Sequence, residues 1–305
     1  MSRFAFASVV LLALMLPLDA GERQQPYSLS VNVDLVVLNV RVLDSGGQSV
    51  SGLPKEAFRV EEDGKARNIS LFLGENSPAT IGLVLDSSAS INSKQSEIRG
   101  AALRFVQSSH PRDQIFVLQF NERLYWMLPE ELPFTNNIDL LDQALAWTPA
   151  AGRTALYDAI AAAVTEAGRG EWEKRTLVVL TDGGDNASRK TLADVLRLAQ
   201  ESNVTVYTIG LFDPLSAEND RPVLRKLAAL TGGDVYFPGT IEELGPAWSK
   251  IAEGVRSQYT IGYRPSQVSL DGKFHKVRVR VNAPGHVKVT VHTRPGYRAR
   301  KMAEP

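Results

Sequence analysis

Ile81-Gly82-Leu83-Val84-Leu85-Asp86-Ser87-Ser88-Ala89-Ser90 is the stretch that decides the fold. Its first half is an uninterrupted apolar run and reads as a buried strand; its second half is Asp-x-Ser-x-Ser, and a helical pattern follows over 93–108. One carboxylate and two hydroxyls are thereby set on a tight turn at the carboxyl end of a strand. In open α/β sheets that edge is where ligands bind. Only oxygen donors are offered, which suits a hard divalent cation such as Mg2+.

Two later segments bear on the same edge. Thr176-Leu177-Val178-Val179-Leu180 reads as a second buried strand and runs into Thr181-Asp182-Gly183. If it lies parallel to the first, it delivers Asp182 beside Asp86. Gly152-Arg153-Thr154 opens a helical pattern from Leu156 to Ala167, so Thr154 is a third hydroxyl on a loop able to fold over that edge. The set Asp86, Ser88, Ser90, Thr154 and Asp182 resembles the metal-ion-dependent adhesion site (MIDAS) of the von Willebrand factor A (VWA) domain family, with no departure from the pattern. That resemblance implies that the two serines and the threonine contact the metal, and that the aspartates act directly or through water. Little negative charge then sits on the metal itself. The cation stays electrophilic and seeks an Asp or Glu exposed on a partner protein. Mg2+ is the expected ion, with Mn2+ or Ca2+ also compatible. A simpler alternative is that Asp86 and Ser90 merely cap the following helix; it leaves the placement of Thr154 and Asp182 unexplained.

Beyond residue 79 strand and helix patterns alternate. Strands are expected over 80–85, 114–120, 124–128, 176–181, 204–210 and 235–237, and helices over 93–108, 138–146, 155–168, 190–201, 221–230 and 241–256. One helix per strand implies an α/β domain: a doubly wound, mainly parallel sheet with helices on both faces. The pair 114–120 and 124–128 must be antiparallel, because its connection is too short for a crossover. Thr240-Ile241-Glu242-Glu243 reads as a capping box opening the last helix.

On either side of this domain the period is two. Asp63-Gly64, between Phe58-Arg59-Val60 and Ile69-Ser70-Leu71-Phe72, reads as a hairpin turn. Val277, Val279 and Val281 alternate with Arg278 and Arg280, and Val287, Val289 and Val291 with Lys288, Thr290 and His292. With Asn282-Ala283-Pro284-Gly285 as the turn, these read as a two-stranded ribbon with one buried and one basic face. Neither flanking segment is self-sufficient, so both are expected to pack as one small β-sandwich with the α/β domain inserted. The expected divisions are a signal peptide (1–20), an N-terminal β segment (21–78), a VWA domain (79–257), a C-terminal β segment (258–298) and a tail (299–305). The arrangement is similar to a secreted, VWA-related family common in acidobacteria. The resemblance covers roughly residues 31–298 and includes Leu53-Pro54-Lys55-Glu56-Ala57-Phe58, Glu62-Asp63-Gly64-Lys65, Gln258-Tyr259-Thr260-Ile261-Gly262-Tyr263 and Gly296-Tyr297.

Composition narrows the function. Lys plus Arg and Asp plus Glu both number 34 in 305 residues, a balance that argues against a nucleic-acid partner. The absence of cysteine excludes disulfides, thiolate zinc sites and cysteine nucleophiles. Arg3, the apolar run Phe4 to Leu18 and the small residue Ala20 read as a secretory signal cut after Ala20, so the chain is expected to be secreted or periplasmic. That run is too short for a comfortable span, and no other segment reads as one. Catalysis is not expected. Aspartate-nucleophile phosphatases need a second aspartate two positions on, where this chain has Ser88, and none of His110, His275, His286 and His292 is placed by sequence near Asp86. No Gly-x-Ser-x-Gly elbow, phosphate loop or Gly-x-Gly-x-x-Gly fingerprint occurs. The alternative to metal-dependent protein binding is a scaffold that meets an anionic surface through Lys276, Arg278, Arg280 and Lys288, independently of metal.

Overall fold

The computed structural model describes residues 35–146, 151–212, 220–265 and 272–299. The expected signal peptide, and all but Ala299 of the expected tail, lie outside these residues. All of these described residues belong to one compact unit.

In chain order the strands and helices are β1 (Val36–Leu43), β2 (Phe58–Glu62), β3 (Lys65–Arg67), β4 (Ile69–Leu73), β5 (Thr80–Asp86), α1 (Gln95–Gln107), β6 (Gln114–Phe120), β7 (Leu124–Trp126), α2 (Ile138–Ala144), α3 (Leu156–Ala167), β8 (Arg175–Thr181), α4 (Leu192–Glu201), β9 (Val204–Gly210), α5 (Arg221–Thr231), β10 (Val235–Tyr236), α6 (Leu244–Arg256), β11 (Tyr259–Tyr263), β12 (Phe274–Val281), β13 (Thr290–His292) and β14 (Gly296–Arg298). The central sheet has the order β10-β9-β8-β5-β6-β7, parallel throughout except for β7, which returns antiparallel on β6. This is the expected doubly wound α/β architecture.

The apolar run of β5 is explained by its place. It lies between β6 and β8, and all seven of its residues are buried. Strand alternation then splits its side chains between two cores. Ile81, Leu83 and Leu85 pack with Ile98 and Phe105 of α1 and with Trp248, Ile251 and Val255 of α6. Val84 faces the other way, with Phe116 and Leu118 of β6, Val179 of β8 and Leu156, Ile160 and Ala163 of α3. Each large aliphatic side chain so buried contributes about 1.5–3 kcal/mol. The site edge therefore stands on a central strand that is buried along its whole length.

The flanking segments form two further four-stranded sheets, β13-β1-β11-β4 and β14-β12-β2-β3. Val36, Leu38, Val40 and Val42 of β1 and Tyr259, Ile261 and Tyr263 of β11 meet Phe58 and Val60 of β2 and Val277 and Val279 of β12 in one core. Both N- and C-terminal segments contribute to both sheets, as expected of a sandwich built from the two together.

Three local expectations are corrected. Asp63-Gly64 does turn a hairpin, with φ of +48° and +78°, but the return strand is β3, through Glu62 opposite Lys65. Ile69–Leu73 instead crosses to the other sheet and pairs with β11. The C-terminal ribbon does not form as a pair: β12 lies between β14 and β2, β13 pairs with β1, and Val287 is fully exposed. Thr240 makes no side-chain cap; Glu243 instead accepts a hydrogen bond from the Gly239 amide at 2.8 Å. A capping box does form at the start of α4, between Thr191 and Asp194.

The sandwich is held to the α/β body by polar contacts. Arg41 pairs with Asp234, the Asn39 amide donates to Thr205 Oγ1 at 3.1 Å, and the Gln258 amide donates to the Tyr207 hydroxyl at 2.9 Å. Gly232 ends α5 with φ of +80°, and a Cβ there would stand 2.5 Å from the Arg294 amide nitrogen, so glycine lets a sandwich loop close on that helix end. Among the described residues no helix is long and apolar enough to cross a membrane.

Candidate metal site

The register of the central sheet decides which side chains meet. β5 and β8 pair in parallel from Thr80 opposite Arg175 to Leu85 opposite Leu180. Asp86 and Thr181-Asp182 therefore leave the sheet together at its carboxyl edge. Asp86 is fully buried and Asp182 is 8% exposed.

Each Asp86 oxygen has a distinct partner. Oδ1 accepts from the Ser88 amide at 2.8 Å, which shapes the turn, and Oδ2 accepts from the Thr181 hydroxyl at 2.6 Å. Burial pushes the Asp86 carboxyl up to about 6, against the lowering effect of the hydrogen bonds from Ser88 and Thr181. Ser87 anchors the turn from below, its amide and hydroxyl both donating to the Phe120 carbonyl. A short 3-10 turn, Ala89–Lys94, then carries Ser90 over the edge. Ser88 Oγ and Ser90 Oγ stand 3.2 Å apart, and Ser90 Oγ donates to Asp182 Oδ1 at 2.7 Å. Neither Asp86 nor Ser90 caps α1, whose N-cap position is Lys94 and has no side-chain cap. The helix-cap alternative thus does not describe this turn.

Thr154 arrives on a loop stitched to the same edge. Its amide donates to Asn186 Oδ1 at 2.8 Å, and its carbonyl accepts from the amides of Asn186 and Ala187. The next amide, of Ala155, donates to the Asn121 carbonyl at 2.7 Å. Gly152 takes φ of +76° to start the loop. Thr154 is 4% exposed, and a Cβ built on Gly183 would lie 3.7 Å from its hydroxyl oxygen, beside Asp182. The loop is held entirely through backbone and neighbouring side chains, which leaves the hydroxyl to the site.

The fold brings all five sequence-derived residues to one edge, and it adds three that sequence reasoning did not select as site residues. Thr181 holds Asp86; a hydroxyl adjacent to Asp182 at a strand end was the available signal. Asn186, four residues after Asp182, fixes the Thr154 backbone through its side-chain oxygen. Lys94 donates to Asp182 Oδ2 at 3.1 Å and to the Leu211 carbonyl at 3.2 Å. Its only sequence signal was its position four residues after Ser90. Asp185 accepts from the Tyr157 amide and Ser188 hydroxyl and so positions the start of α3.

The basic strand face is more balanced than its sequence suggests. Lys276, Arg278 and Arg280 are exposed, but Glu61 of β2 lies opposite Arg278, and Arg280 makes an ion pair with it at 3.2 Å. His275 pairs with Asp63 at 2.9 Å. Among the described residues no group of three His, Cys, Asp or Glu is placed to hold a metal.

Known proteins share this framework. A VWA protein from Catenulispora acidiphila superposes with a TM-score of 0.52 at 14% identity, covering 90% of this chain and 76% of that one. Proximal thread matrix protein 1 from the mussel byssus, in a structure with a zinc-occupied MIDAS motif, superposes with a TM-score of 0.53 at 19% identity over 64% of this chain and 49% of that one. At such identities the likeness shows the fold alone. The uncharacterized protein sll0103 of Synechocystis is 25% identical over 214 residues, 68% of this chain and 47% of that protein, so the chain spans about half the length of this curated relative. The profile of the von Willebrand factor type A domain matches residues 80–245, more than half of the chain. The chain belongs to the von Willebrand factor type A domain family.

Proposed function

We propose that this chain is a secreted or periplasmic binding module that grips another protein through a divalent cation, Mg2+ in the first instance. Ser88, Ser90 and Thr154 would contact the ion, with Asp86 and Asp182 behind them. The observation that carries the reading is the convergence of Ser88 Oγ, Ser90 Oγ and Asp182 Oδ1 within 3.2 Å steps, at an edge where Thr154 also lies. The donors fit the ion: oxygen only, from hydroxyls that keep lone pairs when they donate. A cation so held supplies an electrophilic point on the protein surface, and a partner's Asp or Glu completes its coordination. The zinc-occupied motif of the mussel protein is consistent with metal use on this framework.

The test is calorimetric titration of the purified protein with Mg2+ and Mn2+, beside Thr154→Ala. One-site binding that disappears in the variant is the expected result. Absence of binding by wild type and by every variant tested at millimolar metal, with unchanged melting, overturns the reading and directs attention to the basic strand face, where salt-sensitive and metal-independent partner capture would be the signature.

A further inference from the structure

We infer that Lys94 sets how tightly this site holds its cation: the ammonium group is a built-in counter-charge to Asp182. The inference rests on the reading of the edge as a cation site and concerns its affinity and its dependence on a partner.

Lys94 closes the same 3-10 turn that carries Ser90, so the turn delivers a hydroxyl and a cation to one carboxylate. Asp182 is divided between them, with Oδ1 accepting from Ser90 and Oδ2 from Lys94. The Asp182 side chain is 2% exposed and that of Lys94 is 30% exposed, so the ion pair is well shielded from solvent. The Leu211 carbonyl takes a second ammonium proton and fixes the side chain in that direction. Arg153, the residue next to Thr154, is largely exposed, 3.9 Å from Glu122, and donates to the Asn186 carbonyl at 3.4 Å; it makes no ion pair with Asp182.

Two carboxylates alone would give the site a charge of minus two. With Lys94 the net is minus one, and an entering dication must share Asp182 with a cation already there. In a shielded site such a charge acts strongly. The unaided protein therefore binds metal weakly. A carboxylate from a partner restores the missing negative charge, so metal and partner bind better together than either does alone. Lys94 is a positioning and affinity-setting residue, not a ligand.

A purely structural lysine predicts the opposite response to its removal. Losing a brace loosens the site and weakens metal binding; losing a counter-charge tightens it. Titration with Mg2+ and with Mn2+ at fixed ionic strength, on wild type, Lys94→Met and Lys94→Arg, reads the sign. The expected result is a Kd about tenfold lower in Lys94→Met, or about 1.4 kcal/mol, and a value near wild type in Lys94→Arg. Tightening that is lost when Thr154→Ala is added places the effect at this site. Binding in Lys94→Met but not in wild type also supports the inference. Equal or weaker binding in a folded Lys94→Met overturns it and leaves the cation reading standing. Lys94→Gln, neutral but still able to donate to Leu211, carries the same test if the methionine variant does not fold. No binding by any of these proteins at millimolar metal overturns the cation reading, and this inference with it.

Discussion

The two ends of β5 are built from the same ingredients and differ in which atoms donate. At the amino end Asp113 accepts from the amides of Ala79 and His110 at 2.7 and 2.8 Å and from the Arg256 guanidinium at 3.0 Å. Lys174 lies fully buried nearby and donates to the carbonyls of Ser77 and Val255. At the carboxyl end Asp86 and Asp182 are held by the Ser88 amide, by hydroxyls of Thr181 and Ser90, and by Lys94. Amides and guanidinium groups have no lone pair to offer, so a carboxylate they surround is locked into the fold. Hydroxyls can rotate and become ligands. The difference teaches that a buried carboxylate held only by N–H groups is structural, whereas Asp86 and Asp182 each also accept from a hydroxyl, which lies one rotation away from a cation site.

The largest effect expected from this contrast is at the amino end. Asp113→Ala strands two amides and Arg256, and should cost about 3–5 kcal/mol in denaturant unfolding, with or without metal. A loss below about 1 kcal/mol would break the comparison, because surface ion pairs alone reach that value.

Next is the pH dependence of Lys174. Burial, followed by the nearby Arg256 charge, lowers its pKa from 10.5 to about 7. Between those values the unfolded chain holds a proton that the folded chain has released. Stability therefore rises with pH across that window, by at most about 1.4 kcal/mol per pH unit. Lys174→Met should remove this slope and gain most, relative to wild type, at about pH 7 and below. Chemical unfolding midpoints from about pH 7 to about pH 9.5 measure it; a slope that persists in the variant would assign the titration elsewhere.

The smallest stability effect belongs to the carboxyl end. Thr154→Ala keeps every backbone bond to Asn186 and Ala187, so in chelator it should cost no more than about 1.5 kcal/mol. The same substitution should abolish metal binding. A severe loss of stability without metal would mean that the hydroxyl serves the fold, and the contrast between the two ends would disappear.

How far the chain could be read in advance follows the range of the interactions. Asp86, Ser88 and Ser90 were legible because a strand-end turn is local, and Asp182 followed from a second strand with the same pattern. Thr181, Asn186 and Lys94 were not selected, because their roles depend on partners from distant segments: Thr181 reaches Asp86, and Lys94 reaches Asp182 and Leu211. In the sandwich the Asp63-Gly64 turn was legible from its residues. Its return strand was not, because Lys-Ala-Arg has no strand pattern of its own and is a strand only through pairing with Val60–Glu62. The valines of β12 alternate as expected, yet β12 takes β2 and β14 as neighbours, not the segment after the turn.

By itself, then, the amino-acid sequence determined the alternating α/β order, the burial of the central strands and of the β12 valines, and the oxygen-rich turn after β5, since side-chain period and turn chemistry act within a few residues. Only the tertiary structure decided which flanking strands pair, which loop amides hold Thr154, and that a lysine stands against Asp182. Alternation specifies the face a strand buries and is silent on the strand beside it. The choice among neighbours was made by packing two apolar faces into one core and by closing hydrogen bonds across the chain.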